Sequence, residues 1–268
     1  MKNVLACVHS IPNTTHSYTI MPTISADGRL LPVLFIVLQE VNGVFGPRVQ
    51  QNLFQADNIY VMASKSGKMQ KEHLHAWFED VFFHHVQDDV CLMVDSWSTY
   101  KNKDLIESAK PDDQELVIVT CPPGTTPLCQ PLDVYGIRMM KEFVKLIYDR
   151  VVRAKLMDEL HGRNSLLKLL SLTQNQMCSP RFADMWTVGW KYPGYLDETM
   201  DEEAFLKFPK PVEYCFKNEA AKRKDPCSVT GCKDFHFITC AWCRITLCFE
   251  HFFGSYHICK FVNDPVFI

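Results

Sequence analysis

Cys91-Leu92-Met93-Val94-Asp95-Ser96-Trp97 opens the stretch that decides the fold. After a polar segment it continues as Glu115-Leu116-Val117-Ile118-Val119-Thr120, then Cys121-Pro-Pro-Gly-Thr-Thr-Pro-Leu-Cys-Gln-Pro-Leu-Asp133. Two apolar runs of strand length, each closed by polar or turn residues, predict neighbouring buried strands of an α/β sheet. Asp95 stands just past the first run and Asp133 soon after the second. The carboxyl ends of strands are where α/β proteins keep their chemistry. An Asp there can hold a hard divalent cation, Mg²⁺ or Mn²⁺, which prefers carboxylate oxygen and keeps water or phosphate in its other positions. Two such acids could share a metal pair that activates water and stabilises the leaving oxygen in phosphodiester cleavage. The residues alone leave plainer readings open, with Asp95 as a turn residue and Asp133 as an N-cap.

Upstream, residues 2–9 alternate weakly and predict a strand. Residues 17–25 and 29–39 flank Asp27-Gly28 and predict a β-hairpin, with Pro22 and Pro32 confined to edge or entry positions because each removes a ladder donor. That turn reading sets Asp27 aside as a metal ligand. Residues 58–63 predict a further short strand. Ser64-Lys-Ser-Gly-Lys68 lacks the leading Gly and the spacing of a phosphate loop. From 69 to 86, Leu74, Trp77, Phe78, Val81, Phe82 and His85 fall at helical spacing. The His residues of this stretch form no metal motif with a Glu and read as core or solvated side chains.

Downstream, residues 100–109 predict a short helix closed by Pro111, and 133–160 a long one with Ile137, Met140, Val144, Ile147 and Val151 on one face. Arg138, Lys141 and Lys145 form a basic strip on that helix, either a phosphate contact beside the acids or an ordinary solvated face. Residues 165–177 predict another amphipathic helix, and Trp186, Trp190 and Tyr195 read as packing aromatics. The charge runs and prolines of 201–226 have linker composition.

The tail reads Cys227-x4-Cys232-x7-Cys240-x2-Cys243-x4-Cys248-x2-His251-x5-His257-x-Cys259. Thiolate and imidazole are the preferred ligands of Zn²⁺, and short separations let both side chains of a knuckle reach one ion. Eight candidates suit two closed four-ligand sites, interleaved or sequential, and the spacing leaves their pairing open. A reduced tail with one zinc or none is the competing reading.

Composition bounds the rest. The 268 residues are 47% hydrophobic, enough for a substantial core. With 28 Lys and Arg against 31 Asp and Glu, the net charge of −3 gives no global field toward DNA, so any nucleic-acid contact is local. No stretch reaches the length of a membrane span, and the N-terminus has no apolar run fit for a signal peptide. Six of the twelve Cys fall between 227 and 259, which argues for metal in a reducing compartment over disulfides.

Two strings resemble known families. Leu-Met-Val-Asp95-Ser-Trp and Gly-Thr-Thr-Pro-Leu-Cys-Gln-Pro-Leu-Asp133-Val-Tyr-Gly-Ile-Arg are similar to the second and third acidic motifs of pogo-type DDE transposases of the Tc1/mariner superfamily, a likeness that runs from about residue 17 to 195. The resemblance implies a ribonuclease H-like mixed sheet flanked by helices, two Mg²⁺ ions held by three acids, and DNA cleavage and strand transfer, with Asp95 and Asp133 as the second and third acids. The tail, in Phe-Ile-Thr-Cys240-Ala-Trp-Cys243-Arg-Ile-Thr-Leu-Cys248-Phe, resembles the Cys-rich C-terminal module of piggyBac-type transposases.

The expected organisation is a ribonuclease H-like catalytic core over 1–160 without its first strand, a helical extension over 161–200, a linker over 201–226 and a zinc module over 227–268. The first acid and the N-terminal helix-turn-helix of the family are not found in this sequence, so weak or absent nuclease activity is expected. A non-catalytic, domesticated protein binding nucleic acid or protein is the alternative. DNA is the expected partner and a second copy a further candidate; a nuclear location follows, with neither membrane nor small-molecule substrate.

Overall fold

The computed structural model describes residues 17–156, 160–196, 208–216 and 225–259. The strand expected over 2–9 lies outside them. Strands β1 (Tyr18–Met21) and β2 (Leu34–Gln39) pair antiparallel, with Tyr18 opposite Leu38 and Met21 opposite Phe35. The Asp27-Gly28 turn lies between them, closed by Gly28 N–H donating to Ser25 O at 3.1 Å. Asp27 serves that turn, its Oδ2 accepting from Arg29 Nε at 2.6 Å. The ladder is shorter than the alternation predicts: past Pro22 and Pro32 it is reduced to an Ile24–Leu30 bridge, because proline offers no donor.

After the short helix α1 (Pro47–Asn52), β3 (Ile59–Ser64) adds to β2 in parallel. Alternation then divides β2 between two cores. Leu34, Ile36 and Leu38 face one cluster, and Phe35 and Val37 face the other.

The second cluster is closed by the helix expected over 69–86. It runs as α2 (Lys71–Ala76), a π-helical segment (Trp77–Phe82) and a last turn, α3 (Phe83–His85). The wider π turn lets Phe78, Phe82 and Phe83 all point inward, which a regular helix would not. His73 is a core histidine, its Nδ1 accepting from Gln70 N–H and its Nε2 lying 2.9 Å from Ala63 O.

Next come β4 (Val90–Val94), α4 (Lys103–Ala109, capped by Asn102 Oδ1 accepting from Leu105 N–H) and β5 (Leu116–Thr120). β4 and β5 pair in parallel, Val90 with Leu116 through Val94 with Thr120. One mixed sheet was expected; among the described residues β1 to β5 instead make two, since no ladder joins β1 or β3 to β4. The architecture is mixed α/β with small sheets.

A short helix, α5 (Thr126–Cys129), leads into a π-helical turn (Leu132–Gly136) and the long α6 (Ile137–Ala154), which stops at Lys155 in the left-handed region. Helices α7 (Arg163–Met177) and α8 (Ala183–Lys191) join α6 over the first core. Within the stretch of linker composition, residues 208–216 are packed rather than extended in solvent. Phe208, Cys215 and Phe216 are buried around α9 (Pro211–Cys215), and the Phe216 ring meets Phe143 at 5.0 Å. Apolar side chains between the charges and prolines account for this.

The tail carries a two-residue hairpin, β6 (Ile238–Thr239) with β7 (Thr246–Leu247), and a π turn (Glu250–Gly254). Its Phe237, Ile238, Leu247 and Phe252 belong to the same cluster as α6, α7 and α8.

Candidate active site and metal centres

β4 ends at Val94, and Cys121 N–H donates to Val94 O at 2.8 Å, which carries the parallel pairing one step past the ladder. Asp95 follows, buried at 4% exposure, its Oδ1 accepting from Trp97 N–H at 3.0 Å. The turn role foreseen for Asp95 is therefore real, and it fixes the carboxylate at the strand end.

Asp133 is exposed and lies inside the first turn of the π-helical segment, whose N-cap is Pro131. The N-cap reading of Asp133 does not hold, because the helix begins before it. That segment is held against α8 by two close approaches. A Cβ on Gly136 would lie 2.3 Å from the Trp186 ring, and one on Gly189 2.3 Å from Pro131 O, so neither site has room for a side chain.

Asp95 and Asp133 line one cleft of about 410 Å³, with Ile20, Met21, Leu92 and Ile137 among its apolar walls. They are its only acids among the described residues. Cys121, which the sequence reading left as a scattered thiol, is buried near enough to both acids to feel their charges. Burial first, then a hydrogen bond with Cys129, then the charges of Cys129, Asp95 and Asp133 push its thiol up to about 12. Cys129 Sγ is also 3.1 Å from Thr125 Oγ1. The only signal in the sequence was their place on either side of the Pro-Pro-Gly turn.

Of the basic strip on α6, Arg138 and Lys145 are exposed and Lys141 is half-buried; Arg138 Nε bonds Glu142 Oε1 at 3.0 Å, which balances part of the strip's charge. Trp186 is a core side chain whose Nε1 donates to Met177 O, whereas Tyr195 is exposed.

In the tail the pairing left open by the sequence becomes legible. Cys227, Cys232, Cys248 and His251 bring their ligand atoms together within 4.8 Å, and so do Cys240, Cys243, His257 and Cys259. The first and second pairs of knuckles thus alternate along the chain. A tetrahedral zinc with Zn–S near 2.3 Å and Zn–N near 2.0–2.1 Å requires sulfurs about 3.8 Å apart and sulfur to nitrogen about 3.6 Å. The Sγ–Sγ distances are 3.9 Å for Cys232–Cys248 and 3.6 Å for Cys240–Cys259. His251 Nδ1 lies 3.4 Å from Cys227 Sγ and 3.1 Å from Cys248 Sγ, and His257 Nε2 lies 3.4 Å from Cys243 Sγ and 3.3 Å from Cys259 Sγ. Each group could hold one metal ion.

One thiol in each group is poised to lose its proton. Burial raises Cys227 and Cys240, but hydrogen bonds outweigh it, from Val229 and Cys248 backbone with His251 for the first and from His257 with the Cys243 backbone for the second. The net result is about 7 and about 6. Burial pushes Cys243, Cys248 and Cys259 the other way.

The tail is bolted to α7 and the turn after it through polar contacts around the buried Asn175, Gln176 and Ser179. Gln176 Oε1 accepts from Ala241 N–H at 2.7 Å, Ser179 Oγ donates to Ala241 O, and Trp242 Nε1 donates to Asn175 O at 2.6 Å. From α6, Arg150 Nη1 donates to Phe237 O at 2.5 Å and Nη2 to Phe216 O at 3.3 Å.

Comparison with known proteins agrees with both halves. A family model described as DDE superfamily endonuclease matches residues 16–178, more than half of the chain, and one described as Tc5 transposase C-terminal domain matches 190–259. The tail's match is thus to a Tc5-type domain, and no match supports its likeness to a piggyBac-type module. No curated protein matches the chain, and no solved structure does. On the first of these matches, the chain belongs to the DDE superfamily endonuclease family, and with its Tc5-type tail it is consistent with a pogo or Tc1/mariner-like transposase.

Proposed function

We propose that this chain is a transposase-derived, DNA-acting nuclear protein in which Asp95 and Asp133 hold a divalent cation, Mg²⁺ or Mn²⁺, and the tail holds two Zn²⁺. The observation that carries the reading is the meeting of Asp95 and Asp133, remote in sequence, in one cleft. Their carboxylate oxygens suit a hard cation, which when bound polarises a phosphate and activates water. Asp95 is fixed by its turn, while Asp133 is open to solvent and to a phosphate backbone. Strand cleavage is expected to be weak, because two carboxylates hold a metal pair poorly and misplace the nucleophile.

Two readouts test this. Mn²⁺ titrated into the purified chain should bind one weak site that Asp133→Asn removes, and supercoiled plasmid with Mg²⁺ or Mn²⁺ should be nicked slowly or not at all. Strong nicking abolished by Asp95→Asn would overturn the weak-activity part and keep the site. Strong nicking that survives both Asp95→Asn and Asp133→Asn would sink the site.

A second reading is favoured by the absence of a third acid from the cleft among the described residues. In it the protein binds DNA, or another protein, without cutting, through the tail and the strip of Arg138, Lys141 and Lys145. DNA affinity then survives Asp133→Asn and falls on Lys141→Glu or zinc chelation. Equal binding by all of these would count against it.

A further inference from the structure

Gln130 stands three residues before Asp133 and lines the same cleft as Asp133 and Asp95. Its main chain belongs to the Asp133 turn, because the backbone N–H groups of Asp133 and Val134 both donate to Gln130 O at 3.0 Å. Pro131 follows it and narrows the conformations open to Gln130. Pro131 is itself held, its carbonyl oxygen lying 2.3 Å from where a Cβ of Gly189 would stand. The base of the Gln130 side chain is thereby set with Asp133 in one turn.

The end of that side chain is unaccounted for. Oε1 is buried, and no donor meets it among the described residues. A buried carbonyl oxygen without a partner is costly, and folded proteins seldom leave one so. The functional groups it shares the cleft with are two carboxylates, which repel one another and attract a cation. An amide oxygen is a hard donor of the kind that Mg²⁺ and Mn²⁺ accept beside carboxylate and water. The cleft has no third acid among the described residues, so a cation on Asp95 and Asp133 keeps positions for another oxygen.

We propose that Gln130 supplies the third protein oxygen of the cation site, its carboxamide Oε1 joining the carboxylates of Asp95 and Asp133. The inference rests on the reading of those two acids as cation ligands. The torsion that carries the carboxamide is soft, so its oxygen can swing toward an arriving ion at little cost. A neutral third donor also sets the stoichiometry. Two carboxylates balance one divalent charge, and Gln130 adds coordination without adding the negative charge that a second ion would need.

Mn²⁺ binding to the full chain with zinc left in the tail, followed by electron paramagnetic resonance, tests the assignment. Gln130→Glu, which puts a carboxylate where the amide stands, should tighten the site by about tenfold, and Gln130→Leu should weaken it by about tenfold. Without added Mn²⁺ the Tm of Gln130→Leu should equal or exceed that of wild type, since the orphaned oxygen is gone. A lower Tm with unchanged Mn²⁺ affinity would mark a residue that only holds the fold, and overturns the proposal. So does weaker binding in Gln130→Leu that Gln130→Glu fails to restore. Where Asp133→Asn abolishes binding but both Gln130 variants bind as wild type does, the Gln130 assignment alone falls. Where wild type binds no Mn²⁺, or Asp133→Asn binds it equally well, the acidic site falls and the assignment with it.

Discussion

The tail and the acidic cleft both gather ionisable side chains from distant parts of the chain, yet they gather them to different degrees. In the tail, eight ligand atoms converge into two closed groups whose separations match a tetrahedral ion. In the cleft, two carboxylates share one open cavity, one buried and braced by a backbone N–H, the other exposed. A closed set of soft donors leaves no position for a substrate and suits a structural ion, whereas an open pair of hard donors leaves room for phosphate and water. On the proposed reading, the difference would separate a centre that holds the fold from one that faces a ligand.

The largest effect expected from that contrast is metal removal. Chelation, or Cys240→Ser, should cost on the order of 5 kcal/mol or more, because ligand-site free energy is folding free energy in a module this small. Since Phe237, Ile238 and Phe252 share the core of α6 to α8, the loss should appear as a lower Tm of the whole molecule and not as local fraying. Zinc analysis should return two ions per chain. A Tm unmoved by chelation would break the comparison, while Asp133→Asn, acting on the open centre, should leave the unfolding free energy within about 0.5 kcal/mol of wild type.

Next in size is Arg150→Met, which keeps the aliphatic stem but strips donors from Phe237 O and Phe216 O and the guanidinium 4.7 Å above the Phe216 ring. Denaturant unfolding should show a loss of about 2–3 kcal/mol, the range of charged hydrogen bonds. Wild-type stability would mean that the tail docks without α6.

The smallest effect lies in the cleft. Burial, Cys129 and the two acids raise Cys121, so in the fold it keeps its proton to about 12. Its contribution to stability is complete below the unfolded thiol's value, near 8.5, and is lost as pH climbs from there to about 12. Alkylation of Cys121 followed against pH should move to lower pH in Asp133→Asn, by less than about one unit. No movement in either Asp133→Asn or Asp95→Asn would mean that the cleft does not hold the two charges near this thiol.

Much of the scaffold was legible in the sequence. Asp27-Gly28 announced its turn, and two apolar runs announced β4 and β5, because a tight turn and an apolar strand leave short-range signatures. The burial expected of both runs holds only for part of β4, since Val117 and Val119 of β5 are exposed. What depended on remote partners was not legible. Ser171, Thr173, Gln174, Asn175 and Gln176 sit in an amphipathic helix where polar residues predict solvent, yet all are fully buried among partners remote in sequence: Gln176 and Asn175 bond the tail backbone at Ala241 and Cys259, Gln174 bonds Leu31 O, and Ser171 bonds Asn58. Residues 208–216 read as linker for a related reason: one helical turn is too short for periodicity to outweigh its prolines and charges. Ligand pairing was hidden because spacing limits which two cysteines share a knuckle, not which two knuckles share an ion.

The alternation of those knuckles orders the molecule's assembly in time. Cys227 and Cys232 cannot close their site until His251 has left the ribosome, and Cys240 and Cys243 must wait for Cys259. α7 is made long before either, with Asn175 and Gln176 carrying amides whose bonding partners in the tail do not yet exist. Until the last ligand emerges, that helix presents to any chaperone a face it will later conceal, and a chain cut short anywhere between His251 and Cys259 would carry one finished site and a permanently unfinished core.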